Sequence, residues 1–111
     1  MPDLSVVIVN YKTRDLLRNC LQSLQESLGI ELEIIVVDNA SGDGSAEMVA
    51  AEFPQVILFA QAKNTWYCGG NNIGIDAASA DYVLLLNPDT VVASDALVLL
   101  WSFLRDHTQY A

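Results

Sequence analysis

The stretch that decides the fold runs from Leu32 to Ser45, "LEIIVVDNASGDGS". Its first seven residues are dominated by β-branched and other apolar side chains, as in a strand buried on both faces. Asp38 then opens a run of Asn, Ser and Gly, residues that favour turns. A short helix follows, with Met48 and Val49 facing inward and a halt before Pro54.

The same alternation extends in both directions. "LSVVIVN" (4–10) is a first buried strand. Thr13 is placed to cap a helix in which Leu16, Leu17, Cys20, Leu21, Leu24 and Leu28 recur at helical spacing, with Gly29 as its stop. "QVILFA" (55–60) reads as a third strand, "GGNNIGIDAASA" (69–80) as a helix and "YVLLLN" (82–87) as a fourth strand. Ser94 is placed to cap a last helix with Leu97, Leu100, Trp101 and Leu104 on one stripe. Strict alternation of apolar strands with helices predicts an α/β, Rossmann-like domain: a mainly parallel four-stranded sheet with helices on both faces. Ligands of such sheets sit at the carboxyl ends of the strands. The polar residues Asn10-Tyr11, Asp38-Asn39 and Asn87-Pro88-Asp89 fall there.

With 111 residues the chain has room for one domain, and a 52% hydrophobic composition points to a packed core. Five Lys and Arg against fourteen Asp and Glu give a net charge of -9, which argues against nucleic acid as a partner. An anionic ligand would need a helix N-terminus or a bound cation to offset that charge. The N-terminus lacks the pattern of a secretion signal, and Cys20 and Cys68 lack metal-ligand spacing. A cytoplasmic protein with two free thiols is the expectation. "NAS" at 39–41 matches a glycosylation acceptor but is set aside on the same ground.

Each candidate residue has a plain reading beside the functional one. Asp38 is either a turn residue or a carboxylate offered to a ring or sugar donor. Gly69 and Gly70 either let backbone approach a ligand or open a helix. Lys12, Arg14 and Lys63 lie near strand ends, where each alone is more readily solvated surface than a phosphate contact. His107, the single histidine, belongs to the surface, so neither a His-based triad nor a zinc site has support. The first strand leads to "NYKTRD" without the glycines of a dinucleotide fingerprint, and "GGNNIG" lacks the lysine of a P-loop. Pro88 must break the fourth strand, and Asp89 then presents a hard oxygen ligand suited to Mg²⁺ or Mn²⁺.

Four ordered motifs, "SVVIVNYKT", "EIIVVDNASGDGS", "NTWYCGGNNIGIDAASADYVLLL" and "NPDT", resemble the N-terminal half of family 2 glycosyltransferases of the GT-A fold. The wording "VVDNAS" and "NPDT" is similar to rhamnosyltransferase-like members that build bacterial surface polysaccharides. That resemblance implies a UDP- or dTDP-sugar donor and a saccharide or lipid-linked acceptor. It implies Val9, Asn10 and Tyr11 around the base, Asp38 on its imide N–H, and Gly70, Asn71 and Asn72 toward phosphates and sugar. Asn87 and Asp89 would occupy the family's Asp-x-Asp positions, with Asp89 the metal ligand and Asn87 near the ribose.

The chain departs from the family pattern at three of these positions. Asn87 replaces an Asp, Asn71 stands where many members have Arg, and Trp66 stands where the family usually has Gly. The catalytic base is expected beyond residue 111, and the last helix is apolar nearly all round. A truncated chain, or a homo-oligomer covering that helix, follows as the expectation. The full enzyme would be cytoplasmic or membrane-peripheral. A binding module without turnover is the alternative, whereas a receiver-like signalling domain lacks its acidic pair after the first strand.

Overall fold

The computed structural model describes residues 1–110. Four strands, β1 (Leu4–Asn10), β2 (Leu32–Asp38), β3 (Ile57–Ala60) and β4 (Val83–Leu86), form one sheet in the order β3-β2-β1-β4. Every neighbouring pair is parallel, with Val6 opposite Ile34 and Leu84, and Val36 opposite Leu58. β1 is central, and all seven of its residues are buried, which explains its apolar run from Val6 to Val9.

Alternation along β1 separates two layers. Leu4, Val6 and Ile8 join a core with Leu17, Cys20, Leu21 and Leu24 of α1 (Arg14–Gln25), Met48 and Val49 of α2 (Ser45–Glu52), and Leu97 of α4 (Ala96–Asp106). Val7 and Val9 face the opposite way, against α3 (Trp66–Ala77). Helices therefore cover both faces, as the alternation predicts. Gly70 and Gly74 make the approach of α3 possible. A Cβ on Gly74 would stand 2.2 Å from Val7 Cγ1, and one on Gly70 would stand 2.7 Å from Val9 Cγ1.

Several boundaries differ from the sequence reading. α1 ends four residues before Gly29, so Leu28 is 67% exposed, and its amide donates to the Ser94 carbonyl instead of continuing the helix. Leu16 also lies outside the buried stripe, half exposed at the first turn. Ser94 does not cap α4: Asp95 occupies that position and makes no side-chain cap bond. β3 starts at Ile57, not Gln55, and β4 loses Tyr82 and Asn87 from its ends. α3 begins at Trp66, three residues before Gly69, for a reason found in the site.

Sheet and helices leave apolar surface open. Val83 and Leu85 of β4 are exposed on the face that α3 covers mainly over β1 and β2. On α4, only Leu97 is buried, while Leu99, Leu100 and Phe103 are exposed. Among the described residues no helix is long and apolar enough to cross a membrane.

Candidate functional site

The polar strand ends meet along the carboxyl edge of the sheet. Asn10 is fully buried, and its amide group is wholly committed there. Nδ2 donates to Asp38 Oδ1 at 3.0 Å and to Ser41 Oγ at 3.4 Å, while Oδ1 accepts from Thr13 Oγ1 at 2.6 Å. Thr13 therefore stands at the start of α1, but its hydroxyl serves Asn10 rather than a helix amide. Ser41 Oγ donates to Asp38 Oδ1 at 2.6 Å and accepts the Lys12 amide at 2.8 Å. One hub thus joins the ends of β1 and β2.

Within that hub Asp38 is a turn residue, since Oδ2 accepts the Ser41 amide at 3.4 Å. It is also more than that. A carboxylate has about four acceptor positions, and the bonds from Asn10 and Ser41 fall mainly on Oδ1. The Oδ2 side keeps capacity for another donor at the sheet edge.

Asn39, which the sequence places at this edge without a role, is the residue that clamps it. It is 1% exposed, and its Oδ1 accepts the Thr65 amide at 3.2 Å and the Thr65 hydroxyl at 2.8 Å. Its Nδ2 donates to the Trp66 carbonyl at 3.0 Å. Asn64 Oδ1 accepts the Trp66 amide at 2.7 Å. These bonds pin the start of α3 to the end of β2, which is why the helix begins early. They also leave the Asn39 amide buried and occupied, unfit to carry a glycan. The only signal in the sequence was its place beside Asp38.

Against this clamp lies an apolar cavity of about 190 Å³ lined by Val9, Tyr11, Asn39, Asn64, Trp66 and Tyr67. Val9 and Tyr11 thus share a wall, with Lys12 Nζ 5.2 Å from the centre of the Tyr11 ring. Arg14 is engaged elsewhere, donating to the Asp43 carbonyl at 3.1 Å and pairing with Asp15 at 3.2 Å. In α3, Gly70 and Asn71 are buried on the side toward the sheet, whereas Asn72 is exposed. Gly70 serves helix-on-sheet packing, and its neighbour Gly69 lies inside the helix rather than at its opening.

At the end of β4, Asn87 to Thr90 form a closed turn, with the Thr90 amide donating to the Asn87 carbonyl at 3.1 Å. Asn87 and Asp89 are both exposed there. Behind the turn the Cys20 thiol lies 4.0 Å from the Asn87 carbonyl. Burial, with a smaller push from Asp89, raises that thiol to about 11, so it stays protonated and unreactive. Among the described residues no group of three or more His, Cys, Asp or Glu side chains is placed to hold a metal. One open carboxylate nevertheless fits Mg²⁺ or Mn²⁺, which often take one or two protein carboxylates and complete their shell with water and phosphate oxygens.

A family model described as Glycosyl transferase family 2 matches residues 5–111. The chain belongs to this family. It is 33% identical to the succinoglycan biosynthesis protein ExoO of Rhizobium meliloti over 98 residues, covering 87% of this chain and 28% of that protein. Its fold superimposes on S. aureus TarS 1-349 in complex with UDP with a TM-score of 0.84 at 22% identity, covering 95% of this chain and 32% of that TarS chain. It superimposes on the mannosyltransferase PcManGT of Pyrobaculum calidifontis, solved with GDP-Man and Mn²⁺, with a TM-score of 0.82 at 24% identity. That match covers 93% of this chain and 32% of PcManGT. This family 2 chain thus has the GT-A fold and spans less than half the length of the curated relatives it matches, from 14% to 44%.

Proposed function

We propose that the chain forms the donor-binding part of a glycosyltransferase that uses a UDP- or dTDP-sugar. The observation that carries this reading is Asp38: a buried carboxylate at the sheet edge, oriented by Asn10 and Ser41, with acceptor capacity left, and followed in sequence by Asn39, which lines the aromatic cavity. An imide N–H of uracil or thymine is a donor of the required kind. Val9 and Tyr11 would line the base, and Asn87 would lie near the ribose. Gly70, Asn71 and Asn72 would bring the start of α3 toward the diphosphate and sugar. The complexes of TarS with UDP-GlcNAc and of PcManGT with GDP-Man support a nucleotide-sugar ligand at this fold.

Asp89 would hold a divalent cation, Mg²⁺ or Mn²⁺, together with donor diphosphate oxygens. When bound, that cation supplies Lewis-acid stabilisation of charge on the departing diphosphate. It also relieves the repulsion between an anionic donor and a protein of net charge -9. In the transfer, an acceptor hydroxyl loses its proton to a carboxylate outside residues 1–111 and attacks the anomeric carbon with inversion. The bond to the diphosphate oxygen breaks as the new glycosidic bond forms. A saccharide or lipid-linked acceptor fits the succinoglycan relative.

The open apolar residues Val83, Leu85, Leu99 and Phe103 support a further layer of protein there, from the same chain or a second copy. A cytoplasmic or membrane-peripheral setting fits the two free cysteines.

Calorimetry with UDP and dTDP, with and without Mn²⁺, tests the reading. Saturable binding that Asp38→Ala weakens at least tenfold is expected. Absence of binding by the wild-type chain, or undiminished binding by the variant, overturns it. Donor hydrolysis measured in parallel separates turnover from a binding module that only holds the donor.

A further inference from the structure

Among the described residues, three other than glycine have left-handed backbone, and all three lie at the ligand edge: Lys12 (φ 55°), Ala40 (φ 59°) and Trp66 (φ 60°). Trp66 is the costly case, because a bulky side chain rarely adopts that conformation. Glycine would take it freely. The backbone around Trp66 is nonetheless held from both sides. Asn64 accepts its amide, Asn39 donates to its carbonyl, and Asn39 also binds Thr65. Such an over-determined outlier, a tryptophan 75% exposed, is a poor choice for packing and a good one for contact with a ligand.

The surroundings identify the ligand. Tyr11, Trp66 and Tyr67 are all exposed around the cavity of about 190 Å³, whose wall is mainly apolar. The Asn39 amide is spent on Thr65 and Trp66, and the aromatic residues Tyr11, Trp66 and Tyr67 make up half of the residues that line the slot. The residue before Asn39 in sequence, Asp38, is the carboxylate of this edge. We infer that Trp66 is a recognition residue of this chain, its indole forming one wall of a stacking slot that takes the base of the nucleotide donor. This rests on the donor reading above and adds to it a residue that sets affinity. Stacking tolerates any base, so uridine and thymidine nucleotides gain equally.

The test uses Trp101→Phe, which leaves Trp66 as the sole tryptophan. Trp101 lies at the opposite edge of the sheet, in a depression shared with Met1, Pro2, Asp3 and Arg105. Titration with UDP and Mn²⁺ is expected to quench Trp66 emission saturably, whereas ribose 5-phosphate, which has no base, leaves it unchanged. Trp66→Gly is expected to weaken both UDP and dTDP about tenfold by calorimetry, as loss of one stacked ring does. The same variant raises Tm, because glycine relaxes the left-handed backbone, and Trp66→Phe retains most of the affinity. A structural role alone would lower Tm, so the opposite signs are diagnostic. Unchanged UDP affinity in Trp66→Gly, or equal quenching by ribose 5-phosphate, overturns the inference while the donor reading stands. No UDP binding by the wild-type chain overturns both.

Discussion

Asn10 and Asp38 stand 28 residues apart in sequence and share a buried hydrogen bond of 3.0 Å. Asp38→Ala removes the acceptor and leaves Asn10 Nδ2 dependent on a long bond to Ser41. A buried donor deprived of its partner costs about 1–3 kcal/mol. Urea denaturation should show that loss, and a double-mutant cycle with Asn10→Ala should be non-additive, because both changes remove one contact. Strictly additive effects would mean that the two side chains do not cooperate.

Gly74 predicts a steric effect on the other face. Gly74→Ala places a Cβ 2.2 Å from Val7 Cγ1, so α3 or the sheet must shift. The expected destabilisation is about 1–3 kcal/mol. Val7→Ala in the same chain should recover part of it, although Val7→Ala alone is destabilising. An unchanged Tm for Gly74→Ala would show that α3 does not pack this closely on β1.

The two thiols should differ in reactivity. Cys68 is exposed and Cys20 buried, with burial pushing the Cys20 thiol up to about 11. A chromogenic disulfide reagent at mildly alkaline pH should modify one thiol quickly and the second only in denaturant. Rapid reaction of both would contradict the packing of α1 beneath the Asn87 turn.

Acid should weaken the amino edge of the sheet. Partial burial pushes the Glu33 carboxyl up, but donation from the Ser79 amide, the Ser79 hydroxyl and the Ser5 hydroxyl outweighs it, and the net shift is downward. A carboxyl lowered by folding stabilises the native state above its unfolded pKa, about 4.3 for glutamate, and that contribution disappears as pH falls through the folded value. The Tm advantage of wild type over Glu33→Gln should therefore be full at neutral pH and shrink below about pH 4. A gap that widens on acidification would reverse the assigned sign.

Metal dependence should trace to the exposed carboxylate after β4. Asp89→Asn is expected to abolish most of the gain in UDP affinity that Mn²⁺ confers, with Tm unchanged because Asp89 is exposed. Equal Mn²⁺ enhancement in both proteins would remove Asp89 as the ligand.

Much of this molecule was legible before its coordinates. The β-branched runs at 4–10 and 32–38 read as buried strands, and Asp38 and Asp89 read as edge residues because turn-formers follow or flank them. Element ends were less legible. Leu28 continues the helical spacing of α1 yet leaves the helix, because its amide is taken by Ser94 from a distant loop. The start of α3 moved for the same kind of reason, since Asn39 captures Thr65 and Trp66 across 26 and 27 residues.

Local chemistry was enough for the sequence to determine an alternating α/β chain with polar residues at the strand ends. Periodicity and turn preference act over a few residues and need no knowledge of neighbours. Only the tertiary structure decided the order β3-β2-β1-β4, and with it which polar residues meet. Hence Asn10 is consumed in orienting Asp38, Gly70 is buried against Val9, and Trp66 is held open at the cavity. Hydrogen-bond partners and close packing are set by segments far apart in the chain, and those distances exist only after the sheet has formed.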